Sequence, residues 1–281
     1  MIIGHGHNNF EVPQTGTIAC QEFYRTFIRI DSFFHWVLFM ASYLDNRKEA
    51  DDELYKVVDE IKMELPQKFD LGKKQEIEER RPKWKPMKDI VKENRQFFLE
   101  TMLISHVNNY LNYLSSLLFE IFTQRQETLK SSEKIDIETV LNCESIGDVV
   151  KVFAEKKVEE LSFGSINELY DFFKHRFKLE LFSDNLQQKV IEAVETRNIS
   201  VHNRCIINRR YIKKTGCDPR LIGSRKQLMI SELDEYIAIF LESVRAVDQD
   251  ACQKFRIQEH PLKLDISTND DSSLTNNTSS R

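Results

Sequence analysis

Arg197, Asn198 and His202 lie within one short string, Arg197-Asn198-Ile199-Ser200-Val201-His202, which runs on into Asn203 and Arg204. An arginine, an amide and a histidine are suited to gripping and cutting a phosphodiester. Metal-free cleavage of RNA has three requirements. The 2′-hydroxyl must lose a proton as it attacks phosphorus, the leaving 5′-oxygen must gain one, and charge on the phosphoryl oxygens must be stabilised. An imidazole, with an ordinary pKa near ~6.5, takes or gives a proton at neutral pH. A guanidinium is permanently charged, and its planar donors match phosphate oxygens. His202 is therefore the candidate acid or base, Arg197 the candidate charge stabiliser, and Asn198 a polar helper.

The next segment is strongly basic. Residues 204–226 hold Arg204, Arg209, Arg210, Lys213, Lys214, Arg220, Arg225 and Lys226, opposed within the segment only by Asp218. The whole chain carries a formal charge of −5, so any nucleic-acid contact must come from such a local patch rather than from the total. Arg204, Arg209, Arg210, Lys213 and Lys214 are the candidate RNA contacts.

Spacing tests the constellation. On a helix, Asn198 and His202 are i and i+4 and share a face, with Glu195 on the same stripe. Asn198 is spaced to orient the imidazole, and Glu195 to support it. Arg197 and His202 are i and i+5, so on one ideal helix they point ~140° apart. Either the helix ends near Ser200, or two copies of the motif meet across a two-fold axis and bring both arginines and both histidines into one cleft. A histidine near a helix C-terminus is also well placed against the helix dipole with no chemistry implied.

The elements that must position these residues are helical. Gly and Pro number only 8 and 6 in 281 residues, which favours long helices and few tight turns. The spacing predicts an apolar, aromatic-rich helix over 18–45, whose stretch 33–44 reads as buried. A charged helix over 47–65 stops at Pro66. Residues 66–88, with three prolines and a glycine, read as a linker in which Trp84 docks on the body. A long helix follows over 89–126, with a stripe of Phe97, Met102, Ile104, Leu111, Leu114, Leu118 and Ile121. Asn108, Asn109 and Asn112 interrupt that stripe and read as register-fixing. Further helices are expected at 145–161 and 166–178, the second opened by the capping box Ser165/Glu168. The motif helix is expected at 184–203, with Leu186, Val190, Ala193, Val194 and Val201 as its buried face. Residues 204–230 read as a basic loop, and 231–255 as the last helix. No strand pattern stands out. The organisation expected is an N-terminal helical extension and linker (1–88), a helical domain (89–258) and a disordered tail (259–281).

Five cysteines, an odd number with no CxxC, fit a reducing cytosol and argue against a disulfide framework or a cysteine-based zinc site. Met1–Asn9 is polar, and the apolar stretch 33–44 is too short for a span of ~20 residues. A cytoplasmic protein with no membrane association is the expectation. The histidines His5 and His7 are a weak metal pair. No metal site and no cofactor is expected, and neither a Walker A loop nor a GxGxxG occurs.

The run Glu195 to Ile212 resembles the signature of the HEPN superfamily of helical ribonucleases, in which four to six residues separate an Arg from a His. The resemblance is to the group whose motif reads R-N-x-x-V-H-N, matched by Arg197, Asn198, Val201, His202 and Asn203. It covers about 89–258. It implies an all-α, four-helix bundle, metal-independent endoribonuclease activity and a homodimer with a composite cleft. It also implies a setting in toxin–antitoxin or anti-phage defence systems, with an antitoxin or an inhibitory or activating protein as a further partner. Carried over, His202 is the acid/base, Arg197 the phosphate stabiliser and Asn198 the helper, with Glu195 and Asn203 in support. Where that group often has a Gly two residues after the H-N pair, this chain has Cys205. Competing readings are a module that binds RNA or protein without cutting, and a scaffold whose docking arm is 1–88.

Overall fold

With so few glycines and prolines, little interrupts a helix once it has started. The computed structural model describes residues 12–64, 85–129 and 137–262, and they are predominantly helical. The elements are β1 (Thr15–Gly16), α1 (Ile18–Glu64), α2 (Met87–Glu93), α3 (Arg95–Gln124), α4 (Ile137–Leu141), α5 (Ile146–Phe163), α6 (Ile166–Phe172), α7 (Asp184–Asn203), α8 (Arg209–Thr215), α9 (Ile230–Phe255) and β2 (His260–Pro261). Among the described residues, no helix is long and apolar enough to cross a membrane. The N-terminus up to residue 11, the linker stretch 65–84 with Trp84, and 263–281 lie outside the described residues.

The two helices expected over 18–65 are one helix, because no Gly or Pro separates them. The helix expected over 89–126 is two. Asn94 ends α2, and its side-chain amide donates to the Ile90 carbonyl (2.8 Å). That local bond competes with the helical ladder, as Asn side chains do. Ser145 caps α5, and Ser165 and Glu168 form the expected capping box of α6. α6 then widens into a π turn, Phe173–Phe177, closed by Lys178 in the left-handed region. The tail departs from expectation at its start. His260 and Pro261 pair antiparallel with Gly16 and Thr15, and Leu262 donates to the Gln14 carbonyl (3.0 Å). A two-residue ladder has no alternation for a sequence pattern to reveal.

The described residues fall into two compact units, and α1, α3 and α9 each contribute to both. The first unit draws on Thr26–Tyr110 and Phe182–Leu241. Its core includes Leu99, Leu103, Val107 and Tyr110 of α3, and Tyr236, Ile237 and Phe240 of α9. Tyr110 and Phe240 stack at 4.6 Å between ring centroids. Asp45 of α1 accepts from the Met87 and Lys88 amides (2.6 and 2.8 Å). It thereby caps the first amides of α2, a bond that Pro86 at the N-cap has no side-chain acceptor to make. Gln96 clasps the Leu228 backbone through both its amide atoms.

The second unit comprises residues up to Arg25, Leu111–Leu181 and the chain from Glu242. Its polar centre is Asp248, which is buried. One carboxylate oxygen accepts from the Thr17 hydroxyl (2.5 Å) and the other from the Thr17 amide (3.0 Å). Tyr113 adds a longer bond (3.4 Å). The Thr17 hydroxyl in turn accepts from the Cys20 amide (3.0 Å), capping α1. Glu120 also receives the Ala19 amide (2.5 Å). Gly16 is required here, since a β-carbon on it would meet Asp248 Oδ2 and Cys20 Sγ at 2.9 Å. Burial pushes the carboxyl pKa values of both Asp248 and Glu120 upward, against the hydrogen bonds that lower them.

Three sequence expectations about burial are corrected. Phe97 is two-thirds exposed and not part of the α3 stripe; Leu99, Leu103 and Val107 take that face. Val201 is exposed on α7, where Ile199 is buried instead. The stretch 33–44 is not a buried helix segment. Phe34 and Ala41 are buried, but Phe33, Trp36, Leu38, Phe39, Met40 and Tyr43 are exposed. Among the described residues, these exposed apolar side chains of α1 find no covering neighbour.

Candidate functional site

α7 carries the Arg–His string and runs unbroken through His202 to Asn203. The alternative in which the helix ends near Ser200 is thereby removed. Arg197 and His202 remain on one helix, ~140° apart. The helix is held by Val190, Ala193, Val194 and Ile199, all buried. It ends where Arg204 and Cys205 both take left-handed backbone, φ 51° and 61°, and the Cys205 amide caps the Ile199 carbonyl (2.9 Å). Cys205 stands where the resembled group often has Gly, a residue that enters this region without steric cost. In this turn the Cys205 side chain is buried and its thiol bonds to Ser200 Oγ (3.1 Å).

Arg197 is half-buried and held from two sides. Its Nε donates to Asn108 Oδ1 of α3 (2.9 Å), and a terminal nitrogen donates to Asn198 Oδ1 (3.1 Å). Neither partner is a carboxylate, so the guanidinium charge is oriented but not neutralised. Asn198 thus serves the arginine, and among the described residues no hydrogen bond joins it to His202. Asn108, expected only to fix helix register, is the contact sequence reasoning missed. Its signal was a polar residue inside an otherwise apolar α3 stripe.

His202 is exposed, with no hydrogen bond to its imidazole among the described residues. The expected supporters act elsewhere. Glu195 is buried and pairs with Arg210 (3.4 Å). Asn203 donates to the Ile206 carbonyl (2.6 Å) and closes the turn after α7.

The segment 204–230 is not a loop throughout. Ile206 and Arg225 form an antiparallel bridge. Ile207 exchanges backbone bonds with Ser224 and Gly223, each at 2.9 Å. Asn208 caps α8 by accepting from the Tyr211 amide (2.9 Å). Ile207 and Tyr211 pack with Ile199, joined by Ile212 and Cys217. Burial pushes the Tyr211 hydroxyl pKa up to about 12, and that hydroxyl shares a hydrogen bond with Thr196 (3.2 Å). The apolar spacing of Ile207, Tyr211 and Ile212 behind an Asn cap was the available signal for α8.

Tertiary folding also rewrites the charge balance. Arg210 meets Glu195, Arg225 meets Glu100 (2.9 Å), Lys226 meets Glu232 (2.5 Å) and Arg220 meets Asp218 (2.5 Å). Asp218 is the one acidic residue within the segment, but four glutamates from outside it, Glu100, Glu192, Glu195 and Glu232, fold onto the run. Arg204, Arg209, Lys213 and Lys214 have no acidic partner among the described residues. Their charge stays available to an anion. The second unit, by contrast, has an open, mostly apolar cleft of about 530 Å³ lined by Ile18, Phe119 and Val158, with Glu22, Glu155 and Glu159 and no basic residue.

No family model, no curated protein and no solved structure matches this chain.

Proposed function

We propose that this chain is a metal-independent endoribonuclease of the HEPN type, with a composite Arg/His cleft made by two copies. The observation that carries the reading is the pairing, on the same helix, of an oriented guanidinium held by no carboxylate with an exposed imidazole that has no hydrogen bond among the described residues. Arg197 is fixed by two amide oxygens, Asn108 and Asn198. That is how a stabiliser of phosphoryl charge is pre-organised without being neutralised. His202 takes the 2′-hydroxyl proton or protonates the 5′-oxygen. Phosphorus gains the 2′-oxygen bond as it loses the 5′-oxygen bond, leaving a 2′,3′-cyclic phosphate and a 5′-hydroxyl. Arg204, Arg209, Lys213 and Lys214 hold the flanking phosphates. Because Arg197 and His202 diverge on one unbroken helix, a second copy supplies the complementary member of each pair.

A toxin–antitoxin or anti-phage role, with a protein that restrains or triggers the activity, follows from the HEPN resemblance. A second reading, a non-catalytic module holding RNA or protein within a defence complex, draws on the same divergence, since a lone copy does not aim both groups at one phosphate. The deciding experiment is cleavage of a labelled RNA pool with EDTA present, wild type against His202→Ala. Cleavage by wild type alone supports the enzyme. RNA retained by both without cleavage supports the binding module, and equal cleavage by both rejects this site.

A further inference from the structure

Among the described residues, neither the fold nor the candidate site uses the exposed face of α1. Phe33, Trp36, Phe39, Met40 and Tyr43 are between 42% and 62% exposed. At 100° per residue they lie roughly 160° from Phe27, Phe34, Ala41 and Asp45, the buried face of the same helix. The rings close on one another. Trp36 and Phe39 meet edge-on at 5.6 Å, and Phe39 and Tyr43 stack at 6.4 Å. From these exposures and ~150–250 Å² per aromatic side chain, the stripe offers about 500–700 Å² of apolar surface. Monomeric proteins seldom leave more than a few hundred Å² in one patch.

We propose that this face pairs with the same face of a second copy, as an antiparallel two-helix seam centred on residue 38. It supplies a surface for the dimer invoked in the proposed function, but it rests on α1 alone. The first argument is spacing. Arg29, Phe33, Trp36, Met40, Tyr43 and Arg47 are separated by 4, 3, 4, 3 and 4 residues. That is the alternation of a coiled-coil seam, and it reads the same from either end. A seam with this symmetry is self-complementary when a copy is turned end for end. Phe33 then faces Tyr43 of the second copy, and Trp36 faces Met40. A large ring meets a flexible side chain at the centre, rather than two indoles meeting head-on as in parallel pairing.

The second argument is area. The stripe with its flanks approaches the ~800 Å² per partner of a standard interface. The third is charge. Ser32, Phe39 and Asn46, which flank the seam on one side, are uncharged, so the two copies approach there without like-charge repulsion. Arg29 and Arg47 meet at the seam's exposed ends, where long side chains turn to water at little cost.

The test uses the full chain. Sedimentation equilibrium of wild type is compared with Trp36→Glu/Met40→Glu, both positions being exposed, and circular dichroism verifies that the helix content is kept. The seam predicts a wild-type dimer and self-association weakened more than ~100-fold by the two charges. Register is read from disulfide capture. Phe33→Cys/Tyr43→Cys should form a covalent dimer, because the two positions in one helix are ~15 Å apart and do not bridge internally. Phe33→Cys alone and wild type should stay uncoupled. A monomeric wild type, a dimer indifferent to the charges, or capture by Phe33→Cys alone each overturns the proposal. Binding to anionic vesicles by a protein that stays monomeric overturns it too. RNA cleavage is read in parallel: a charged variant that is monomeric yet cleaves normally defeats the composite cleft while leaving the seam intact.

Discussion

Two polar clusters in this molecule end in opposite states. Around Asp248, a carboxylate, a hydroxyl, a phenol and backbone amides close on one another in a buried site. Around α7, Arg197 is held by neutral amides and His202 is left open to solvent. A buried polar group without partners costs free energy, so a cluster inside the fold must be closed by the chain itself. A cluster that keeps its charge and its proton-carrying ring unspent at the surface is available to something else. The contrast separates a cluster that maintains structure from one suited to a ligand.

The comparison breaks most directly at the open cluster. His202→Ala should lower RNA cleavage by ~10²–10⁴-fold, and Arg197→Ala by ~10²–10³-fold, in single-turnover assays. Removing Asn108 should cost about 10–100-fold, the value of one hydrogen bond to a charged group. None of the three should move the melting temperature as far as a change at the closed cluster. Asp248→Ala is the converse. It strands the Thr17 amide and hydroxyl, and should cost about 1–3 kcal/mol of stability by urea unfolding. Cleavage assayed well below the melting point should be unchanged.

Smaller effects sharpen the same contrast. Lys213→Ala and Lys214→Ala, both lacking acidic partners, should each reduce the slope of log affinity against log salt by about 1. Arg225→Ala, whose charge is already met by Glu100, should change it less. The smallest effect is pH-dependent. Burial raises the Asp248 carboxyl pKa above its ordinary 3.8, so the folded state holds that proton more tightly than the unfolded chain. Its contribution is fully present below about pH 4 and is lost as pH rises through the folded value. The melting temperature of wild type relative to Asp248→Asn should therefore grow as pH is lowered from 7 toward 5. A difference that shrinks on acidification would contradict the burial assignment.

Several features were legible because they are written over a few neighbouring residues. The motif helix matched its expected bounds, 184–203, and the Ser165/Glu168 capping box formed as expected. The boundary between α2 and α3 was missed, since one asparagine redirecting a side-chain hydrogen bond leaves no periodic trace. α8 was hidden because its basic residues outnumber the apolar ones that hold it. Exposure on α1 was misread for a related reason. The ten apolar or aromatic residues of 33–44 do not distinguish a helix wrapped on all sides from one packed on a single face, and Phe33, Trp36, Phe39, Met40 and Tyr43 are exposed.

Helix content, caps and the Arg197–His202 spacing follow from interactions within one or two turns, so the chain alone determines them. That those two side chains diverge required the structure, which carries the helix unbroken past Ser200 to Asn203. Partnership across long sequence separations was decided only by folding. Glu195, Glu100 and Glu232 meet three of the eight basic residues in the run, Arg210, Arg225 and Lys226, and Asn108 reaches Arg197 from 89 residues away. Ion pairs and hydrogen bonds of this kind act over a few ångströms, and which groups come that close is settled by the packing of whole helices rather than by any local pattern.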